Sequence, residues 1–328
     1  MTAPQHSRAA VINTAVIQRL GWKVLSAYAI IYLVWGSTYL AIRVGVLEMP
    51  PLLMAAIRFL IAGALLFGWT LARGERRPSA RQWLSISLLA LLIFAVDYGL
   101  VFWAEQRVPS GVTAIMMATI SAFMALSEIV FLRTQRLTLR LAAALLTGLG
   151  GVAVLVSHSL DLGGAPIDAV GAAALLVGAV AWAVAAVVAR VQPLPDSKFL
   201  SSGAQMLVGG LMLGLSSFAL GEFKDFHPAA VSFAAWFSLA YLIVPGSIVA
   251  FTAYVWLLHH DSPTRVGTYA YVNPVVAVFV GYLMGGEALS ARTLLGSLFV
   301  LVSVVMITTG KSKQSAAGSS AVPAAKSS

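Results

Sequence analysis

The chain has 328 residues, of which 59% are hydrophobic and 10% are charged, and its mean hydropathy is +0.90. Soluble domains carry about a quarter of charged residues and do not need so much apolar sequence for one core, so this composition excludes a soluble globular protein and indicates a membrane protein. The net charge of +9 predicts contact with anionic lipid and not with nucleic acid, and the absence of cysteine excludes disulfides and thiol chemistry.

The sequence contains long apolar stretches separated by short polar connections. A helix needs about 20 apolar residues to cross the roughly 30 Å of hydrocarbon in a bilayer. Ten stretches reach about that length: 24–43, 52–72, 83–103, 110–132, 139–157, 169–189, 199–220, 233–257, 266–285 and 293–310. A membrane β-barrel would show short alternating segments instead. We therefore predict an all-α integral membrane protein with ten transmembrane helices.

The basic residues predict the orientation of these helices. Most of the 21 Lys and Arg residues fall in connections on the side of the two termini. The positive-inside rule therefore predicts that both termini are cytoplasmic. Residues 1–23 are expected to form a cytoplasmic N-terminal segment without a cleavable signal peptide. The Ser- and Ala-rich residues 311–328 are expected to form a disordered cytoplasmic tail.

The two halves of the sequence resemble each other. Trp35 lies eight residues before Arg43, and Trp182 lies eight residues before Arg190, at an offset of 147. Further matches follow in the same order: Arg58 with Gln205, Gly63 with Gly210, Trp83 with Trp236, and Pro109 with Pro263. Each half holds five apolar stretches, and an odd number of crossings reverses the second copy. The sequence thus predicts two inverted five-helix repeats, 24–158 and 169–310.

Aromatic side chains mark one face of the first helix. Tyr28, Tyr32, Trp35 and Tyr39 recur at intervals of three and four residues, which places four rings on one side. One interpretation is helix packing with interface anchors. The other is the wall of a cavity for an apolar or aromatic substrate.

The fourth helix carries a mixed face of hydroxyl and thioether groups. Thr113, Met117, Ser121, Met124 and Glu128 share this face. Methionine suits both core filling and an adaptable binding surface, so both interpretations stay open. Glu128 is expected to reach the cytoplasmic surface and to pair there with a neighbouring arginine.

Two ionisable residues lie deep within predicted spans. Arg58 and Asp97 are each about six residues from the same end of their helices, which places both roughly 9–10 Å below one surface. Since a buried charge at that depth is costly unless paired, we predict an intramembrane Arg58–Asp97 ion pair. The matching positions in the second half are Gln205 and Ala250, so a structural and a functional role both remain open.

Helices 8 and 9 contain proline breaks that favour a polar cavity. Pro245 interrupts helix 8, and Pro274 interrupts helix 9, where it frees the carbonyl of Ala270. The side chains around these breaks, together with Tyr98 and the repeat partner Trp182, complete the predicted substrate cavity. Its members are Trp35, Tyr39, Asp97, Tyr98, Met117, Ser121, Trp182, Ser247, Phe251, Tyr254, Tyr271 and Asn273.

Catalytic and cofactor motifs are missing from the sequence. It has no P-loop, no HExxH, no GxSxG and no cluster of His and Asp at metal-ligand spacing. We therefore expect neither an enzyme nor a bound metal or cofactor.

Several short motifs carry a resemblance to a known family. They are Ile31–Tyr39, Met49–Pro51, Ala56–Phe59, Val108–Gly111, Ser262–Pro263, Tyr269–Pro274 and Gly286–Ser290. Together they resemble the EamA-domain exporters of the drug/metabolite transporter superfamily, with one EamA-like unit in each half. The second unit keeps an acidic residue, Glu287, where the first has Gln135, so a symmetric role for this acid is in doubt.

The resemblance implies a ten-helix carrier of the bacterial inner membrane with a central cavity. It also implies export of amino acids, aromatic ones among them, or of related metabolites and organic cations. We expect alternating access, with an aromatic box around an apolar side chain and with Asn273 and Asp97 near the polar head group. A passive channel or a structural membrane protein is the alternative, and a monomer and a homodimer both remain open.

Overall fold

The computed structural model describes residues 6–133, 137–156, 167–224, 226–260, 266 and 268–319. These residues form helices and connections and contain no strand, which confirms the all-α class. Gln135, Ser262 and Pro263, which the sequence analysis uses, lie outside this described part.

The long helices are numbered in chain order: α1 (His6–Val46), α2 (Pro51–Ala72), α3 (Ala80–Ala104), α4 (Ser110–Phe131), α5 (Leu139–Val156), α6 (Ala169–Val188), α7 (Lys198–Ala219), α8 (Phe233–Leu257), α9 (Tyr269–Gly285) and α10 (Ala291–Ser319). By length and composition, seven of the described helices can cross a membrane: α2, α3, α4, α6, α7, α8 and the Gly21–Val46 part of α1. The helices α5, α9 and α10 contain shorter apolar stretches. The chain is therefore a helical protein with several membrane-capable helices, and the ten-span topology stays a prediction.

Both terminal helices extend beyond the predicted spans. The first begins at His6, within the predicted N-terminal segment, and α10 continues to Ser319. Residues 311–319 are thus helical where the sequence predicts disorder. Alanine and lysine favour helix, and lengthening an existing helix needs no new nucleus, so this extension costs little.

The two halves of the chain interlock through equivalent helices. The second helix of one half, α2, packs along the second helix of the other, α7, and α5 packs along α10 in the same way. The first helix, α1, packs against α8 and α9, while α6 packs against α3 and α4. Each half therefore contributes its first helix to the third and fourth helices of the other.

Glycine allows the closest of these contacts. A Cβ atom on Gly63 would lie 2.7 Å from the backbone nitrogen of Leu207, and one on Gly203 would lie 2.7 Å from that of Phe67. A Cβ on Gly210 would approach the nitrogen of Leu60 to 2.8 Å. The backbones of α2 and α7 thus touch directly, as in small-residue packing between membrane helices.

Two helices change their winding at matching positions. Leu91–Tyr98 in α3 and Leu242–Val249 in α8 are π-helical, and the two segments lie 151 residues apart in the sequence. A π-helical segment holds one extra residue in the turn and rotates the side chains beyond it. Asp97 lies in the first segment and Pro245 in the second, so both breaks lie next to predicted site residues.

The outside of the bundle is apolar. Leu139 is 88% exposed, Phe233 is 83% exposed and Leu84 is 74% exposed. Large apolar side chains at such exposure indicate a surface made for lipid.

The α2–α7 contact can be tested with two glycines of the same helix. Gly63→Ala forces a methyl group into backbone atoms of α7, whereas Gly68 has no atom within 4 Å of its Cβ position. We expect Gly63→Ala to lower the free energy of unfolding by about 1–3 kcal/mol through overpacking. Gly68→Ala should leave it unchanged or slightly raised. Thermal unfolding in detergent measures both, and equal effects of the two substitutions would contradict the direct backbone contact.

Candidate functional site

A cavity of about 360 Å³ lies at the centre of the bundle. Helices α1, α2, α3, α4, α6, α9 and α10 contribute to its wall. Its lining residues are Trp35, Thr38, Tyr39, Ile42, Arg58, Asp97, Tyr98, Val101, Ala114, Met117, Ala118, Ile120, Ser121, Met124, Trp182, Tyr269, Ala270, Asn273, Pro274 and Ile307. This volume lies at the lower end of the range typical of small-molecule sites.

The structure brings most of the predicted cavity residues together. Those that line the cavity are Trp35, Tyr39, Asp97, Tyr98, Met117, Ser121, Trp182 and Asn273. The remaining four predicted residues, Ser247, Phe251, Tyr254 and Tyr271, do not line it. Each of these four has a physical reason for its place.

Tyr271 is replaced in the lining by its neighbour Tyr269. Positions 269, 270, 273 and 274 of α9 contribute to the wall, and a residue between them on a 3.6-residue helix turns away. Tyr271 packs against the main hydrophobic core instead. The aromatic spacing of the sequence was consistent with either tyrosine, and only the rotation of α9 decides between them.

The α8 residues form a layer behind the wall. The Tyr254 ring lies 5.4 Å from the Trp35 ring, and the Phe251 ring lies 6.4 Å from that of Tyr254. Tyr269 meets Trp35 edge-on at 5.1 Å between ring centres. Tyr254 and Phe251 thus support Trp35 from behind without bordering the cavity, whereas Tyr269 both contacts Trp35 and lines the cavity.

The break in α8 also positions Trp35. The indole Nε1 of Trp35 donates a hydrogen bond of 3.1 Å to the carbonyl oxygen of Gly246, directly after Pro245. In the same segment the hydroxyl of Ser247 donates to the carbonyl of Leu242 at 2.9 Å. Pro274 likewise leaves the carbonyl of Ala270, at the cavity wall, without its regular helical donor.

The aromatic stripe of α1, for which the sequence allowed either helix packing or a cavity wall, serves both purposes. Trp35 and Tyr39 line the cavity. Tyr28 and Tyr32 pack on each other with ring centres 5.6 Å apart, and the Tyr32 hydroxyl lies 2.6 Å from the Thr268 hydroxyl. One half of the stripe therefore forms wall, and the other half forms a helix contact.

The predicted ion pair between Arg58 and Asp97 is not present. Within the described residues no ion pair joins the two side chains, although both are buried and line the same cavity. Arg58 Nε donates to the hydroxyl of Ser247 at 3.0 Å. Its guanidinium carbon lies 4.7 Å from the Phe59 ring centre and 5.3 Å from that of Tyr98. Cation–π contacts and one hydroxyl thus take the place of the carboxylate.

Asp97 and Asn273 line the cavity, and each has one buried side-chain oxygen without a partner among the described residues. Asp97 Oδ1 and Asn273 Oδ1 are both buried without a hydrogen-bond partner among the described residues. A Cβ on Gly178 would lie 2.9 Å from Asp97 Oδ1, so α6 approaches this carboxylate at a position where only glycine fits. Arg58 Nη1 is also buried without a partner in the described part of the chain. Because unsatisfied buried polar atoms are costly, such a group is a natural contact point for a polar ligand.

Three carboxylates from connecting segments cap helices of the opposite half. Glu287 accepts hydrogen bonds from the backbone nitrogens of Ser110, at 2.6 Å, and Gly111, at 3.0 Å, at the start of α4. Gly286 makes this possible because it ends α9 with a φ of 64°, a conformation that glycine adopts without strain.

The other two caps are reciprocal. Glu222 accepts from the nitrogens of Leu52, at 3.3 Å, and Leu53, at 2.9 Å, at the start of α2. Glu48 accepts from the nitrogen and the hydroxyl of Ser232, at 2.6 and 2.7 Å, just before α8. These bonds lower the pKa of the Glu48 carboxyl. We call the end of the bundle that carries Glu48, Glu222 and Glu287 the capped end.

Arg43 ties the capped end to the connection between α3 and α4. Its Nη1 donates to the carbonyl oxygens of Glu105, at 2.6 Å, and Val108, at 2.8 Å. Its Nε lies 3.7 Å from Glu287 Oε1. Beyond the cavity at this end, Val46, Glu105 and Val108 are all buried, so the capped end is closed.

Glu105 is a buried acid that the sequence analysis did not single out. Its side chain follows directly after the third apolar stretch, where a charged residue ordinarily indicates the interface. Burial, followed by the charge of Glu287, raises the pKa of the Glu105 carboxyl. Nothing in the local sequence distinguishes it from an exposed residue, since the groups near it, among them Arg43 and Glu287, come from distant segments.

The opposite end of the bundle is held by different contacts. Arg190 Nη2 pairs with Glu128 Oε1 at 2.9 Å, a partner from the other half that the sequence did not predict for this acid. The Ser85 hydroxyl donates to Gln192 Oε1 at 3.1 Å, and the Ser197 hydroxyl donates to Glu75 Oε1 at 2.9 Å. Arg190 is the repeat partner of Arg43, so related arginines lie at both ends of the bundle.

The described residues contain no group of three or more His, Cys, Asp and Glu side chains able to hold a metal ion. The site therefore consists of aromatic rings, two separated charges and a few amide, hydroxyl and backbone groups. This chemistry suits recognition of a small organic molecule.

Comparison with known proteins identifies related chains. A family profile described as the EamA-like transporter family matches twice, over residues 22–157 and 169–309. A protein named inner membrane transporter YedA, from Escherichia coli (strain K12), is 38% identical over 86% of this chain and 89% of its own length. Protein PecM of Dickeya dadantii is 25% identical over 84% of this chain and 88% of its own. A solved crystal structure with 22% identity aligns with a TM-score of 0.58 over 89% of this chain and 98% of its own, which shows the fold.

The cap at α4 generates a stability prediction. Glu287→Gln removes the charge and one of the two acceptors at the start of α4, so we expect a loss of about 1 kcal/mol in the free energy of unfolding. Asp196→Asn removes an exposed carboxylate away from the three caps and should change nothing measurable. Thermal unfolding in detergent measures both, and equal stability of the two variants would show that the cap contributes nothing.

Proposed function

Because the chain belongs to the EamA-like transporter family, we propose that it is an inner-membrane secondary transporter that exports small metabolites, foremost amino acids including aromatic ones. Transport proceeds by alternating access around the central cavity. The observation that carries the substrate class is the position of Asp97 and Asn273 in the aromatic wall of the cavity, where each keeps one oxygen without a partner among the described residues.

The cavity chemistry supports an amino acid with an apolar side chain. An ammonium group donates three hydrogen bonds and carries a positive charge, which matches the carboxylate of Asp97 and the amide oxygen of Asn273. Trp35, Tyr39 and Trp182 form an apolar and polarizable wall for the side chain. The thioethers of Met117 and Met124 add an adaptable surface on α4.

The organisation of the chain supports two inverted repeats as the moving parts. The family profile matches once in each half, at 22–157 and 169–309, close to the predicted repeats 24–158 and 169–310. The exchanged packing of α1 with α8 and α9, and of α6 with α3 and α4, has the pattern of a twofold relation. Such a relation would give the ten-span topology with the two repeats reversed in the membrane.

The orientation follows from the distribution of charge. With both termini cytoplasmic, the connections that carry Glu48, Glu222 and Glu287 face outward, and the basic connections face the cytoplasm. The capped end is then the outer end, and its closed state belongs to an inward-facing or occluded carrier. Opening the outer end requires release of the contacts among Arg43, the α3–α4 connection and Glu287.

Export of organic cations is the second candidate, and Asp97 among aromatic rings is the observation that favours it. Aromatic faces and a carboxylate attract a cation with or without a carboxylate of its own. The two candidates differ in whether the transported molecule needs its acidic group.

Transport by the purified protein in liposomes tests the proposal. We expect saturable uptake of a labelled aromatic amino acid, competition by its relatives, and acceleration by unlabelled substrate on the other side. A flux without saturation or acceleration would indicate a channel. No flux of amino acids, aromatic amines or quaternary ammonium ions would contradict both candidate functions.

Cavity variants test the assigned roles. Trp35→Ala removes the central ring of the wall and should raise KM about tenfold, since ring contacts contribute roughly 0.5–1.5 kcal/mol beyond area burial and 1.4 kcal/mol is a factor of ten. Asp97→Asn keeps the shape but removes the charge and should weaken amino-acid transport by at least that factor. Tyr271→Phe, outside the cavity, is the matched control. Unchanged kinetics in both Trp35→Ala and Asp97→Asn would show that this cavity is not the substrate site.

A further inference from the structure

Glu105 stands apart from the other acids of the protein. Its exposed fraction is 0%, and neither Oε1 nor Oε2 has a hydrogen-bond partner among the described residues. Buried carboxylates are ordinarily paired or bonded to several donors, so an ionised group in this setting is strongly disfavoured. The substrate cavity does not use this residue, since Glu105 lies beyond its lining.

The charges around Glu105 do not compensate for it. Its charge would interact with Arg43 and Tyr39 from α1, with Arg58 from α2, and with Glu287 from the α9–α10 connection. The nearest cation, Arg43, already donates to two backbone carbonyls and lies against Glu287. Arg58 is directed to Ser247 and to aromatic rings.

Glu287 is the better placed of the two acids at this end. It receives two backbone hydrogen bonds at the start of α4 and the charge of Arg43, and all of these favour its ionised form. Both carboxylates therefore lie near Arg43, and the two backbone donors at the start of α4 are bonded to Glu287. A proton can neutralise the other carboxylate, Glu105, and its binding needs no additional space in the packed interior.

We propose that Glu105 is a proton-binding site that fills from the outer solution when the capped end closes. The carboxylate takes up one proton as α1 and the α3–α4 connection come together, and it releases this proton to the outer solution when they separate and water reaches it. This inference rests on the alternating access of the proposed function. It predicts that a higher outer pH favours the outward-open carrier, because the ionised form of Glu105 is tolerated only in contact with water.

The site has no counterpart in the second half. At the offsets of 153 and 154 that the flanking matches Trp83–Trp236 and Pro109–Pro263 give, Glu105 corresponds to Leu258 or His259, neither of which is an acid. A carboxylate at this place is therefore present in one half only. The proposed proton binding thus gives a role to an acid that one half has and the other half lacks.

Infrared difference spectroscopy of the whole protein detects the proton directly. At neutral pH, the difference between the spectra of the parent protein and of Glu105→Gln should contain the carbonyl stretch of one protonated carboxylic acid. Glu287→Gln removes the neighbouring negative charge, so the same band should then disappear at a lower pH than in the parent. A spectrum in which neither substitution alters such a band would overturn the proposal, independently of any transport activity.

Accessibility of a single thiol measures the coupling to the outer end. The chain has no cysteine, so Ile42→Cys, in the buried wall of the cavity one residue before Arg43, introduces the sole thiol. Right-side-out vesicles are treated with a membrane-impermeant maleimide at an outer pH of about 6.5 and about 8.5, a range in which ordinary carboxyls stay ionised. The exposed position in Ala230→Cys is the control for the intrinsic pH dependence of the reagent.

We expect labelling of Ile42→Cys, relative to the control, to rise severalfold at the higher pH. In the Glu105→Gln background it should stay low at both values, because the neutral amide mimics the protonated acid. The same pH response with and without Glu105 would overturn the proposal. A Glu105-dependent infrared band without labelling at any pH would instead contradict the alternating access on which the release step rests.

Discussion

The interlocking of the two halves depends on carboxylates that bind the starts of helices belonging to the other half. Glu287 closes the start of α4, Glu222 closes the start of α2, and Glu48 holds the residue before α8. The first backbone nitrogens of a helix have no partner within it, and a negative charge there also meets the positive end of the helix dipole. These bonds hold connecting segments of one half against helix starts of the other. The cavity lies directly beneath this layer, so its shape is set by the same contacts.

A second constraint is the burial of Arg58 and Asp97, which both line the cavity. Neither residue neutralises the other. Arg58 is satisfied by a serine and by the faces of aromatic rings, whereas Asp97 lies against a glycine of α6. Arg58 and Asp97 thus lie in the same cavity wall without forming an ion pair. A molecule that carries charged groups of its own can bind to both. The π-helical turns in α3 and α8 matter here because they rotate Asp97 and Ser247 towards the interior.

Much of the fold could be predicted from the sequence, since apolar stretches of about 20 residues have few alternatives in a bilayer. Cavity residues on α1, α3, α4 and α6 were found because polar and aromatic residues inside apolar stretches stand out. The predictions were wrong where a rotation decides the outcome, as for Tyr269 in place of Tyr271. They were also wrong for Arg58, whose partner Ser247 comes from a distant segment, and the pairing of Arg190 with Glu128 was not predicted for the same reason. Glu105 was missed because its burial is created by other helices and leaves no pattern in its own neighbourhood.

The two π-helical segments, 151 residues apart, bear on the evolutionary origin of the two halves. An extra residue in a helical turn breaks the regular hydrogen-bond ladder and is seldom retained without a use. Its appearance at matching places in two segments of quite different sequence, one with an aspartate and one with a proline, is most simply a shared inheritance. The widened turn would then predate the duplication that placed two EamA-like units in one chain. The acids and prolines now found in it would be later specialisations of an ancestral pair of identical subunits.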